Sequence, residues 1–145
     1  MRKIIAMLQA LNICFAPLLV EADETEELEN KKAVIACGNI LAAAQEQIAE
    51  QGFAYDLYSV PFVKPINREQ LKAIVKSHPD GLITIEEHQA SCGMGSAIVE
   101  LVNDMHAKGE LVAYPIIKRV AIPDEFALIA GTQAYLRDYE GLKIS

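Results

Sequence analysis

The side chains that could do chemistry are concentrated in residues 84–96, which read TIEEHQASCGMGS. Glu86 and His88 are two positions apart in a run of strand character, so we expect both side chains on one face of a strand. A carboxylate and an imidazole so placed can act as acid and base, or can bind a metal ion. A metal site needs a third protein ligand, and His78 and His106 fall on other predicted elements. We therefore predict neither a metal site nor a catalytic residue, and expect the pair to form structural hydrogen bonds at a strand end or subunit boundary.

The glycine-rich end of this segment, CGMGS, has two interpretations. Glycines at a helix start allow backbone amides to face an anion, which would make Glu86, His88, Gly93, Gly95 and Ser96 a binding site for a small anionic ligand. The segment lacks the complete GxGxxG pattern and the lysine of a P-loop. The simpler interpretation needs Gly93 and Gly95 only for a tight turn, with Ser96 helping to cap the helix. We favour the turn and keep the five residues as ligand-binding candidates.

Short apolar runs and amphipathic stretches alternate along most of the chain. This alternation predicts strands joined by helical crossovers, which build a mostly parallel sheet covered by helices on both faces. The predicted strands are residues 32–38, 54–60, 81–88 and 111–122, and the predicted helices are 39–52, 67–78, 95–109 and a short one within 123–141.

Several residues predict where these elements begin and end. Asn39 and Asn67 stand at N-cap positions, and Gln70 follows Asn67 at the third helical position. Gly52 is placed to end the first helix. Pro115 interrupts the last predicted strand, which predicts an edge position or a bend.

Composition limits the class of protein. A chain of 145 residues with 52% hydrophobic and 23% charged residues is expected to fold as one domain with a substantial core. Its net charge of −7 and scattered basic residues argue against nucleic-acid binding. No apolar stretch reaches the ~20 residues of a membrane span. Three widely spaced cysteines predict reduced thiols in a cytoplasmic protein.

The N-terminus imitates a secretory signal, because residues 1–22 combine a basic start, an apolar stretch and a small residue before a possible cleavage point. Gln9 and Asn12 interrupt the apolar stretch, and cleavage would remove residues 15–22, FAPLLVEA, which have strand character. We predict a leader in residues 1–14, as helix or linker, followed by a domain in residues 15–145. Export is the alternative.

From about Lys32 to Ser145 the order of motifs resembles the C-terminal domain of the transketolase family. That family includes transketolases, 1-deoxy-xylulose-5-phosphate synthases and the beta subunits of 2-oxo acid dehydrogenases. The matching pieces are VIACGN with its Ala-rich helix, YDLYSVPFVKPIN, LITIEEHQASCGMGSAIVELV and PDEFALIAGTQAYLRDYEGL. The resemblance implies a three-layer α/β/α sandwich with a five-stranded, mostly parallel sheet. Its one antiparallel edge strand would be residues 15–22.

The resemblance also implies where the family's chemistry resides. Thiamine diphosphate and magnesium are held in another domain through a GDG motif, and no GDG occurs in this chain. The domain that carries the activating glutamate is absent as well. We therefore expect this chain to bind no cofactor itself and to catalyse nothing alone.

Three functions follow. The first is an oligomerisation or regulatory subunit of a thiamine-diphosphate-dependent transketolase-type enzyme, forming a homodimer or binding separate catalytic chains. The second is an independent module that binds a small anionic ligand at residues 86–96. The third and least favoured is an enzyme that uses Glu86, Glu87 or His88 without a cofactor. In the first, Glu86 and His88 become candidates for an interface.

Overall fold

A computed structural model describes residues 16–18, 32–126 and 128–144 of the chain. The predictions for the leader, the signal-like stretch and Cys14 concern residues outside these ranges, apart from residues 16–18. The strands are β1 (Ala16–Leu18), β2 (Lys32–Cys37), β3 (Tyr55–Ser59), β4 (Leu82–Gln89) and β5 (Ile117–Ile122). The helices are α1 (Ile40–Gln51), α2 (Arg68–Ser77), α3 (Met94–Ala107) and α4 (Gln133–Tyr139).

Four parallel strands form the body of the sheet, in the order β3-β2-β4-β5. The prediction of an α/β fold with a parallel sheet is therefore confirmed. The three residues of β1 lie antiparallel to β3, with Ala16 opposite Ser59 and Leu18 opposite Leu57. The residues that flank β1 lie outside the described ranges, so a complete edge strand over residues 15–22 stays a prediction.

Strand alternation divides the core between the two faces of the sheet. In β2, Ala33 and Ile35 face one side, whereas Val34 and Ala36 face the other, and all four are fully buried. The first pair packs with buried residues of α2 and α3, and the second pair with those of α1 and with the end of the chain. Burial of a side chain such as Ile35 stabilises the folded state by about 1.5–3 kcal/mol relative to leaving that side chain exposed to water. Helices therefore cover both faces, as the alternating pattern predicts.

The predicted ends of the elements are partly confirmed. The side chain of Asn67 accepts a hydrogen bond from the backbone N–H of Gln70, and Gly52 ends α1 in the left-handed conformation. The prediction that Asn39 caps α1 is wrong, because its backbone is already helical and its side chain makes no capping bond. The last strand is also shorter than predicted. It begins only at Ile117, after Pro115, because proline has no N–H to donate to the neighbouring strand.

Among the helices in the described ranges, none is long and apolar enough to cross a membrane.

Candidate functional site

Glu86 lies at the carboxyl end of β4, where its carboxylate meets the start of α3. The side chain is 4% exposed and accepts hydrogen bonds from the backbone N–H groups of Met94, at 2.6 Å, and Gly95, at 2.8 Å. The first amides of a helix have no partner within the helix, and a negative charge there also interacts favourably with the helix dipole. Glu86 therefore caps α3 from eight residues upstream and lies inside the chain rather than on its surface.

The glycines of the turn allow this close approach. A Cβ atom on Gly93 would lie 2.7 Å from the carboxyl carbon of Glu86. On Gly95 it would lie 2.7 Å from the hydroxyl oxygen of Thr84 and 3.1 Å from Oε1 of Glu86. A side chain at either position would thus force the carboxylate or the strand away from the helix. The chain turns between β4 and α3 as predicted, but the positive φ in this loop is at Cys92, while Gly93 is extended and Gly95 already lies in α3. The two glycines therefore allow the close approach to Glu86 rather than the turn itself.

Ser96 and Arg119 form hydrogen bonds with the loop between β4 and α3. The Ser96 hydroxyl donates to the carbonyl of Ala90 at 2.8 Å, and Nη1 of Arg119 donates to that carbonyl and to Ser96 Oγ, both at 3.0 Å. The prediction that Ser96 caps α3 is therefore wrong, because Glu86 already accepts from the first amides. The sequence carried no signal for Arg119, which reaches the turn only because β5 pairs with β4.

Glu87 points to the other face of the sheet and connects it to α4. Its carboxylate accepts from Arg137 Nε at 2.7 Å and from Gln133 Nε2 at 3.0 Å. Two consecutive glutamates thus attach two different helices to one strand. This role of Glu87 was not predicted, although opposite faces for consecutive side chains are what a strand requires.

His88 is exposed and separate from Glu86. Its Nδ1–H donates to the carbonyl of Gln89 at 3.0 Å, and no hydrogen bond joins it to Glu86 in the described part of the chain. No group of three or more His, Cys, Asp or Glu side chains among the described residues could hold a metal ion. Within the described ranges, no contact pairs Glu86 and His88 as acid and base. The assignment of residues 86–96 to an anionic ligand stays a prediction.

Cys37 ends β2 directly opposite Glu86 in the parallel register. Burial raises the pKa of its thiol, and the negative charge of Glu86 raises the pKa further. A thiol with a raised pKa is less often the reactive thiolate at neutral pH. Cys37 therefore has the environment of a packing residue rather than of a nucleophile.

A second polar cluster lies beneath the amino end of β3. His78 is 2% exposed, and its Nδ1–H donates to the carbonyl of Ile74 at 2.8 Å while Nε2 faces Oδ2 of Asp56 at 3.0 Å. Nearby, burial and the charge of Asp56 raise the pKa of Tyr58 to about 12. With both ring nitrogens of His78 engaged and the ring buried, His78 attaches α2 to β3 and is shielded from solvent.

Comparison with known proteins agrees with this architecture. The family model described as "Transketolase, C-terminal domain" matches residues 24–141. The chain is 36% identical over 114 residues to 1-deoxy-D-xylulose-5-phosphate synthase of Oleidesulfovibrio alaskensis, covering 76% of this chain and 17% of that protein. It is 32% identical over 133 residues to 1-deoxy-D-xylulose-5-phosphate synthase 1 of Geobacter sulfurreducens, covering 90% of this chain and 19% of that protein.

A solved structure is also similar to this chain and also comes from a transketolase. The chain is similar to a structure described as "Split gene transketolase, inactive beta4 tetramer", with a TM-score of 0.60 and 26% identity, over 79% of this chain and 35% of that chain. The chain spans less than a fifth of the length of the two synthases named above. The family match nevertheless covers most of the described residues, including the Glu86 cap and its turn. This chain belongs to the transketolase C-terminal domain family.

Proposed function

We propose that this chain is an assembly domain of a transketolase-type enzyme related to 1-deoxy-D-xylulose-5-phosphate synthase, and that it does not catalyse alone. The observation that carries the proposal is the family match over residues 24–141, together with relatives of which it covers only a small part. In such a protein the chain associates with copies of itself or with the chains that carry the catalytic domains. The similar split-gene transketolase is described as a beta4 tetramer, which supports assembly.

We also propose that thiamine diphosphate and magnesium are held by another chain or domain. The glycine turn before α3 does not fit a diphosphate, because the Glu86 carboxylate already accepts from the amides of Met94 and Gly95 and would repel a second anion. The same contacts lend no support to the alternative of an anionic ligand at residues 86–96.

Two further parts of the proposal concern the fold and the location. We propose that residues 15–22 complete an antiparallel edge strand beside β3, which the pairing of Ala16 with Ser59 supports. We place the protein in the cytoplasm, and the unbridged thiols of Cys37 and Cys92 support a reducing compartment.

The test is binding to a catalytic chain that lacks its own C-terminal domain. The synthase of O. alaskensis is expressed without the region that this chain matches, and the two proteins are mixed at micromolar concentrations. We expect light scattering to detect a complex larger than either component, and thiamine-dependent synthase activity to rise when this chain is added. Two components that stay separate while both are folded by circular dichroism would contradict the proposal.

A further inference from the structure

Among the described residues, the C-terminal part of the chain exposes four large apolar side chains. Phe126 is 95% exposed and Leu128 is 89% exposed, and on α4 Tyr135 and Tyr139 are 53% and 56% exposed. Helix α4 has no buried residue, so its tyrosines add little to the core of this chain. We name these four residues the C-terminal apolar surface. Large apolar side chains that remain exposed in one region of a chain are typical of an interaction site.

These residues lie at one end of the sheet. The segment that carries Phe126 and Leu128 leaves β5 after Ile122, which is opposite Gln89 in the register. Helix α4 is hydrogen-bonded to Glu87 of β4, two residues before Gln89. Both parts of the C-terminal apolar surface are thus anchored at the carboxyl ends of β4 and β5. A partner docked there can contact both.

The border of this surface is acidic. Asp124 and Glu125 are exposed immediately before Phe126, and among the described residues neither carboxylate has an ion-pair partner. The nearby Arg137 is paired with Glu87 inside the chain. In a two-fold dimer through this surface, the acidic borders of two copies would face each other, in a chain whose net charge is already −7. Like charges that face each other across an interface repel, so they disfavour the binding of a second copy of this chain.

We propose that the C-terminal apolar surface docks a different protein chain, one that presents an apolar patch bordered by lysine and arginine side chains. The apolar centre supplies the affinity, and the acidic border selects this partner over a second copy. The proposal rests on the proposed function and assigns the site on this chain, and the charge of the partner, through which that assembly forms.

The test uses the truncated O. alaskensis synthase as the probe and measures its dissociation constant from the full chain by isothermal titration calorimetry. Phe126→Asp and Leu128→Asp should each weaken binding about thirtyfold, the loss typical of a central interface residue. Asp124→Lys combined with Glu125→Lys should weaken it about tenfold at low salt, and the difference should shrink as salt is added. Val112→Asp is the matched control, because Val112 is 102% exposed and precedes β5, at the opposite end of the sheet.

The outcomes separate this proposal from the proposed function. Suppose that the probe binds the wild-type chain, and that it binds Phe126→Asp and Leu128→Asp as tightly as it binds Val112→Asp. The C-terminal apolar surface is then not the docking site, while the proposed assembly role is still supported. If the wild-type chain does not bind a folded probe, the assembly role fails as well. A truncated probe that does not fold is replaced by a chimera in which this chain substitutes for the matched region. Docking in the chimera gives one melting transition, which Phe126→Asp should split in two, and an unsplit transition refutes the surface.

Sedimentation velocity of the chain alone tests the choice of partner. We expect no self-association through this surface at low salt, because the acidic borders repel. A dimer that Phe126→Asp dissociates would overturn the proposal in favour of a second copy. A surface whose natural occupant is the N-terminal segment would also overturn it, and in that case deletion of residues 1–14 would lower the stability of the chain as much as Phe126→Asp does, while neither change would weaken binding of the probe.

Discussion

Replacing Glu86 with glutamine tests the central contact of the candidate site. The substitution keeps the size of the side chain but removes its charge and turns one of its two acceptors into an NH2 group. That group would face the backbone N–H of Met94 or Gly95, which now donate to the carboxylate at 2.6 and 2.8 Å. One buried amide would lose its partner, while the start of α3 would lose its favourable charge.

The magnitude follows from these two losses. An unsatisfied buried donor costs about 1–3 kcal/mol, and the interaction of a partly buried charge with a helix end is worth up to about 2 kcal/mol. Relief of the desolvation cost of a buried carboxylate offsets part of this sum. We therefore expect Glu86→Gln to lower the free energy of unfolding by about 2–3 kcal/mol.

Urea denaturation followed by circular dichroism at neutral pH measures the difference. Glu100→Gln is the matched control, because Glu100 is exposed on the same helix and its removal changes the net charge equally. An exposed substitution of this kind should change stability by no more than about 0.5 kcal/mol. If both variants unfold at the same urea concentration, Glu86 does not cap α3 and the reasoning fails.

Three further predictions concern groups outside the turn. His78→Ala should lower the free energy of unfolding by about 2–3 kcal/mol, measured by the same urea assay, because it removes a ring that is 2% exposed, leaves a cavity in its place and deletes the hydrogen bonds that the ring makes; an unchanged midpoint would refute the structural role. The pKa of Glu110 is lowered chiefly by its hydrogen bond from Arg68, so this pair stabilises the fold above the usual Glu pKa and ceases to as pH falls through the lowered value. The stability difference from Glu110→Gln should therefore vanish at acid pH, and a constant difference in pH-dependent melting would contradict this. Iodoacetamide at mildly alkaline pH should label the exposed Cys92 before Cys37, whose pKa is raised, and peptide mapping by mass spectrometry that shows the reverse order would exclude the described burial.

The order and type of the elements were available from the sequence because they depend on local pattern. The Asn67 cap was predictable in the same way, since its partner Gln70 is three residues away. Asn39 looked equivalent but does not cap, because its own backbone is helical. A residue type permits a cap, while the entry angle of the chain decides whether the cap forms.

The glycine-rich loop before α3 is a second case in which the sequence showed the residue types but not the contacts. Sequence pattern indicated that Gly93 and Gly95 make a turn, but it could not identify Glu86 as the group the turn admits. That contact requires β4 to end where α3 begins, and it converts an apparent anion site into one already filled by the chain's own carboxylate. The local sequence pattern showed only which groups could donate or accept a hydrogen bond, and not which of them would meet.

The sequence by itself thus determined the fold class and the family, because hydrophobic periodicity and ordered motifs are properties of consecutive residues. Only the tertiary structure decided the partners of Glu86, Glu87 and Arg119, since those contacts depend on which strand ends lie together in the sheet. It also decided that Phe126 and Leu128 are exposed. An apolar residue type does not by itself decide whether its side chain is buried, and only the packed chain shows that these two are not.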